Sequence, residues 1–179
     1  MLSNADPQHD SDDLPGHDDA LVAALTEIDS FVNQAGWGVP ARLFALVNTE
    51  KLRESEPALA QHLVAGSPDS LSSIEQDEFH AGDDIEAALA SVMWPDAVDG
   101  AAITLERVFL PNDVEDEIPA DPAQAATFVA SHPRRQDVRV IVGVLRTGEH
   151  HALARLLDHP DDLLLSLIHI SEPTRQEAI

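Results

Sequence analysis

Four valines near the end of the chain alternate with other residues, at positions 138, 140, 142 and 144. A period of two places successive side chains on opposite faces of an extended backbone, so this run predicts a β-strand. The chain then turns around Gly148 and enters a second apolar segment, His150–Leu157, which predicts a partner strand. The two segments together predict a β-hairpin, whose strands are antiparallel.

Helices and strands alternate before this hairpin. Leu21, Leu25, Ile28 and Val32 recur at helical spacing and predict a first helix, which Gly36 ends. Three more helices are predicted: after a cap at Thr49 with a break at Pro57, after a cap at Asp83, and from Pro122 behind a cap at Asp121. Three more strands are predicted at 42–47, 72–79 and 101–110. This order predicts a single α+β domain: a mixed or antiparallel sheet of four to five strands, packed with about four helices and ending in the hairpin.

The charge of the chain excludes several classes of function. There are 33 Asp and Glu residues against 10 Lys and Arg, which gives a formal net charge of −23. A surface of that sign repels phosphate backbones, so we expect no nucleic-acid partner. No run of 18 apolar residues predicts a membrane span, and the N-terminus lacks the features of a signal peptide. We therefore expect a cytoplasmic protein.

Motifs that carry common catalytic chemistry are absent from the sequence. It contains no GxxxxGK[ST] or GxGxxG phosphate loop, no HExxH and no GxSxG. Cysteine is absent, which excludes thiolate zinc ligands. His150 and His151 are neighbours on a predicted strand and point to opposite faces, so they cannot chelate one ion. We expect no catalytic residue, no cofactor and no metal site, and this argues against an enzyme.

Candidate partner-binding residues lie near the hairpin and at one corner. Arg134, Arg135 and Arg139 belong to an arginine cluster that could pair with the protein's own acids or receive an acidic partner. Trp94 lies where a predicted helix meets a strand, and it could plug the core or, if exposed, mark a partner surface. The acidic surface and the absence of common catalytic motifs favour a non-enzymatic adaptor or chaperone-like module that binds another protein.

The alternative function is a small-molecule-binding domain or an enzyme. Its pocket would lie between the sheet and the helices, with Arg107, Arg139 or Asp96 as polar anchors. A buried carboxylate beside one of those arginines would favour this alternative.

The two ends of the chain differ in composition from the predicted domain. Residues 1–17 contain four aspartates and no Lys or Arg, so they predict a disordered acidic tail. Residues 165–175, LSLIHISEPTR, resemble the translation of a common sequencing adapter, and we expect 165–179 to be a non-native tail. The α+β domain then spans 18–164, and its native C-terminus is expected to be missing.

Several stretches resemble an uncharacterised actinobacterial family of short acidic proteins. The most specific are WPDAV at 94–98 and HPRRQDVR at 132–139, within a likeness that covers most of residues 20–160. The resemblance implies no particular activity, because that family has none assigned. It also implies a further C-terminal helical stretch that this chain lacks.

Overall fold

The structure is a computed structural model that describes residues 17–63 and 66–166. Its helices are α1 (His17–Asn33), α2 (Thr49–Ser55), α3 (Pro57–Ala60), α4 (Ile85–Ala90) and α5 (Pro122–Ser131), with a 3-10 helix at Asn112–Glu117. Its strands are β1 (Arg42–Asn48), β2 (Leu71–Glu75), β3 (Gly100–Phe109), β4 (Gln136–Leu145), β5 (His150–Leu156) and β6 (Leu163–Ser166). The α+β class is confirmed, and α2 and α3 are the two parts of the helix predicted to break at Pro57.

The strands form one antiparallel sheet in the order β2-β1-β3-β4-β5-β6. The predicted hairpin is present as β4 and β5, with Val144 opposite His150 and Val138 opposite Leu156. The sheet has six strands where four or five were expected. The additional strand is β6, which pairs with β5 and continues past residue 164, where the domain was expected to end.

The first face of the sheet is covered by α1. Leu21, Leu25, Ile28 and Val32 of its apolar stripe are at most 1% exposed, whereas Phe31, which was expected to fill the same stripe, is 48% exposed. The four buried side chains pack on apolar residues of the sheet, namely Phe44, Leu46, Ala102, Ile141, Leu145 and Leu153. Gly143 lies beneath the helix, and a Cβ there would be 2.7 Å from Leu25 Cδ2. The missing side chain therefore allows α1 to approach β4 closely.

The second face is covered only over part of its width. Ala45 and Val47 of β1 are buried there with Leu52 of α2 and Val98, and Trp94 packs against this cluster. The alternating valines of β4 lie on the same face, because they pair with the outward residues of β3 and β5. Over β3 to β6 this face is partly exposed: Val144 is 48% exposed, whereas Val138 and Ala152 are buried at 7% and 2% exposure.

Two helix caps differ by one residue from the predicted ones. The side chain of Asn48, not Thr49, accepts the amide hydrogen bond at the start of α2, because Thr49 is itself buried. Asp84, not Asp83, caps α4 in the same way. Asp121 caps α5 as predicted, accepting from the amide of Gln124 at 3.0 Å.

Strand β2 is shorter than the sequence predicts. Strand β2 ends at Glu75 and not at residue 79, since the amide of Phe79 closes a turn on the carbonyl of Gln76.

Residues 1–16 and 167–179 lie outside the described residues, so the expected tails there stay predictions. No helix within 17–63 and 66–166 is long and apolar enough to cross a bilayer.

Candidate functional site

An apolar surface lies on the second face of the sheet, over β3 to β6. We call it the open face. Its half-buried or exposed apolar side chains come from four neighbouring strands: Ile103, Leu105, Phe109, Val140, Val142, Val144, Ala154, Leu156 and Leu164. The exposed Arg107 and His150 lie on the same face, and Val138 and Ala152 are buried in it. Val144, Leu164 and Phe109 are 48%, 49% and 50% exposed. Helix α1 lies on the opposite face, and neither α4 nor α5 contributes a buried side chain.

The strand register makes the open face continuous. Leu105 pairs with Val140, Val140 with Ala154 and Ala154 with Leu164, which gives one apolar row across four strands. None of the outward positions of β3, β4 and β5 holds a carboxylate. An antiparallel sheet with one face in water normally alternates apolar and polar residues, and here the solvent side is apolar as well.

Trp94 lies at one end of the open face. It is half-buried against the cluster around Val98, and with Ala101 and Val144 it borders a hollow of about 170 Å³. Of the predicted partner-binding residues, Trp94 is the one that lines this hollow beside Val144.

Arg146, in the turn between β4 and β5, fixes the corner that carries Trp94. Its Nε donates to the carbonyl of Val98 at 2.6 Å, and its Nη2 donates to the carbonyls of Trp94 and Pro95 at 3.3 and 3.1 Å. This role of Arg146 could not be predicted from the sequence, because backbone acceptors cannot be read from residue types.

Asp99 holds the other side of the same corner. Its Oδ2 accepts from the amide of Asn48 at 2.8 Å, and its Oδ1 from Lys51 Nζ at 2.9 Å. Burial acts to raise the pKa of Asp99, but the Asn48 amide and the Lys51 ammonium outweigh burial and hold that pKa below its usual value.

Two of the predicted arginines form exposed ion pairs. Arg134 Nη2 is 2.6 Å from Asp113 Oδ1, and Arg135 Nη2 is 3.1 Å from Asp137 Oδ2. The hydrogen bond from Arg134 holds the pKa of Asp113 below its usual value. Both arginines therefore pair with the protein's own acids, and their partner-binding role stays a prediction.

Arg139 is buried and has no surface to offer a partner. It is 1% exposed, and its Nη2 donates to Glu106 Oε1 at 3.0 Å and to the carbonyl of Gly36. Its guanidinium lies 4.5 Å from the centre of the Trp37 ring, and Glu106 also accepts from the amide of Gly38 at 2.8 Å. This arginine therefore anchors the loop after α1 to the sheet, which corrects the expectation that it meets a partner or a ligand.

A cleft of about 820 Å³ adjoins the open face at Leu105 and lies between β1, β3 and the segment before α4. Arg107 lines it and is exposed, whereas Asp96 is not among the described residues around it. Glu75, in its wall, is bonded by Arg42 Nε and Nη2 at 2.5 and 2.7 Å. Of the three expected anchors, only Arg107 borders this cleft. No group of three or more His, Asp or Glu residues that could hold a metal occurs in the described part of the chain.

The fold and the open face together define a small α+β protein whose sheet is covered by helix α1 on one face and is partly uncovered on the other. A family model described as PPA1309-like protein matches residues 21–172. The chain therefore belongs to the PPA1309-like family, which is uncharacterised, as the resemblance implied. No curated protein and no solved structure matches the chain. The match includes residues 165–172, so the adapter origin of the C-terminal segment stays a prediction, as does the actinobacterial source.

Proposed function

We propose that this protein is a non-enzymatic binding module that engages another protein through the open face. The observation that carries the proposal is the apolar row Leu105-Val140-Ala154-Leu164, which lies on the side of the sheet that faces solvent. Contiguous exposed apolar patches on monomeric proteins mark interaction sites.

Two aromatic residues at opposite ends of the open face support this function. Trp94 lies at the end where β3 begins, and Phe109 is the last residue of that strand and is 50% exposed. Aromatic side chains with part of their surface accessible are enriched among the residues that dominate protein-protein affinity. Between them lie the apolar Ile103 and Leu105 and, next to Phe109, the exposed Arg107. A partner could therefore contact both ends at once if it also accommodates this arginine.

Photo-crosslinking in cells tests this function. A photoreactive residue at position 144 lies on the open face, whereas one at the exposed position 23 lies on α1, on the other side of the sheet. We expect a discrete partner to be crosslinked from position 144 and not from position 23. The purified partner should then bind the purified chain.

A pair of isosteric substitutions tests whether that binding uses the open face. Val140→Thr with Val142→Thr keeps the shape of both side chains but makes the face polar, and should weaken binding of the partner about tenfold. Val22→Thr makes the same chemical change on α1 and should leave binding unchanged. Failure to recover a partner from position 144, or equal weakening by both changes, would reject the proposed function.

The cleft beside Arg107 supports a second candidate function, the binding of a small molecule. An anionic group would meet Arg107 there, against the repulsion of Glu75, Asp77, Asp83 and Glu106 in the same walls. The cleft volume of about 820 Å³ lies in the range of small-molecule sites. NMR titration with phosphate and with succinate tests this candidate. Shifts at the cleft walls that disappear in Arg107→Gln are expected, and the absence of shifts at millimolar concentrations excludes it for these two anions.

A further inference from the structure

We infer that the occupant of the open face is a basic amphipathic α-helix of a partner protein. This inference rests on the proposed function, and it adds the chemical class of the partner. It follows from the dimensions of the open face, from the placement of charge around it, and from the way the same sheet binds α1.

The open face has room for one helix. It spans four strands, β3 to β6, which is about 14 Å at the usual spacing between strands. From Val138 to Val144 it is about 20 Å long. A helix is about 10 Å across, and about 13 residues of it span 20 Å.

The packing of α1 on the first face shows which kind of helix this sheet binds. There α1, with 17 residues, fills the space with leucine, isoleucine and valine at helical spacing. The second face presents the other side of the same strands β4 and β5, with an apolar surface of the same kind. A helix with a comparable apolar stripe therefore complements it.

Acidic segments lie at one end of the open face. The 3-10 helix after β3 carries Asp116 and Glu117 besides Asp113, which is paired with Arg134, and the loop between β5 and β6 carries Asp158, Asp161 and Asp162. Strands β3 and β5 both end at that side of the sheet, since each is antiparallel to β4. The open face holds no carboxylate, and its exposed Arg107 lies towards the acidic end. The centre of the face favours apolar side chains, and the acidic segments at its boundary favour Lys and Arg.

This charge placement disfavours a second copy of the chain as the occupant. A second copy brings its own net charge of −23 and the same acidic segments beside the same face. Like charges brought together at an interface oppose association, whereas a basic helix gains attraction from the same carboxylates.

Three defined peptides test the inference against the full-length chain. Each has 18 residues: one with leucines at helical i, i+3, i+4, i+7 spacing and lysines elsewhere, one with the lysines replaced by glutamates, and one with leucine and lysine in strict alternation. The third peptide keeps the positive charge but has the period of a strand, so it controls for attraction to the acidic surface alone. Affinity is measured by calorimetry near physiological salt, and contacts are mapped by amide shifts.

We expect the helical lysine peptide to bind at least about tenfold more tightly than the other two. Its shifts should fall on the rows through Val140 and Val142. The paired Val140→Thr and Val142→Thr change should weaken it about tenfold, and Val22→Thr should not. Val144→Thr, at a site 48% exposed, provides a second variant should the paired change disturb folding.

Other results would overturn the inference. They can be distinguished from the results that would reject the proposed function. Equal binding of the alternating peptide, or shifts that avoid the open face, means that no amphipathic helix is recognised there. A crosslink from position 144 to a second copy, or to another segment of the same chain, identifies a different occupant. If position 144 captures a partner through an acidic or extended segment, the inference fails while the binding function stands.

Discussion

Replacing Asp29 with asparagine is expected to destabilise the protein more than any exposed ion-pair substitution. Asp29 lies on α1 and is 1% exposed, and it accepts from Arg155 of β5, whose side chain is 12% exposed. Arg155 Nε lies 3.1 and 3.2 Å from the two carboxylate oxygens, and Nη2 adds a further bond. This hydrogen bonding raises the pKa of Arg155 further above its usual value.

The size of the effect follows from burial of the pair. Removing one member of a buried ion pair typically costs about 3–5 kcal/mol, because the other charge is left without compensation. Arg155 keeps a hydrogen bond to the carbonyl of Pro160, so the lower end of that range, about 3 kcal/mol, is expected. For a domain of this size such a loss lowers the melting temperature by roughly 6–12 °C.

Thermal and urea unfolding followed by circular dichroism measure this change. Asp113→Asn is the matched control, since it makes the same chemical change in an ion pair whose side chains are 69% and 50% exposed. For the control we expect no measurable change in the melting temperature or the urea midpoint. If Asp29→Asn melts within about 2 °C of the unsubstituted protein, the pair is not a buried contact between α1 and the sheet, and the reasoning fails.

Four further substitutions test the two faces of the sheet and the Asp99 corner. On β4, Ile141→Ala should lower the free energy of unfolding by about 2–5 kcal/mol, because Ile141 is 1% exposed. Val144→Thr, at a site 48% exposed, should lower it by less than about 0.5 kcal/mol. Similar urea midpoints for the two variants would contradict the assignment of faces. Gly143→Ala places a Cβ 2.7 Å from Leu25 Cδ2 and should destabilise by about 1–3 kcal/mol, so an unchanged stability would mean that α1 does not press on this strand. The lowered pKa of Asp99 means that its contribution is present above its unfolded pKa of about 3.9 and is lost as the pH falls through the lower folded pKa. Asp99→Asn should therefore lower stability at pH 7 and have little effect near pH 2, and a loss that is independent of pH would count against the Lys51 and Asn48 contacts.

The sequence predicted those elements whose signals are local. The hairpin follows from the valine alternation and Gly148, and α5 begins where Asp121 and Pro122 place it. These features depend on the backbone preferences of a few neighbouring residues, so they can be read without knowledge of tertiary contacts.

Features that depend on contacts between distant segments were not predictable in the same way. Strand β6 has four residues and follows an acidic loop, and its pairing with β5 gives no periodic signal. The hydrogen bonds from Arg146 that fix the segment around Trp94 are accepted by backbone carbonyls about 50 positions away in the sequence. Burial of Arg139 depends on Glu106 of β3, which pairs with it across the strands.

The composition of β4 joins the fold to the proposed function. Ile141 and Leu145 face α1 and are buried, while the valines on the other side are apolar too, so the strand is hydrophobic on both faces. Strands of that composition are typical of sheets covered on both sides. In the described residues α1 supplies one cover, and the β3 to β6 part of the second face lacks an equivalent one. A chain whose net charge is −23 has abundant polar residues with which to line a solvent-facing sheet surface, and the valines at these positions are therefore the feature from which the proposed binding function is argued.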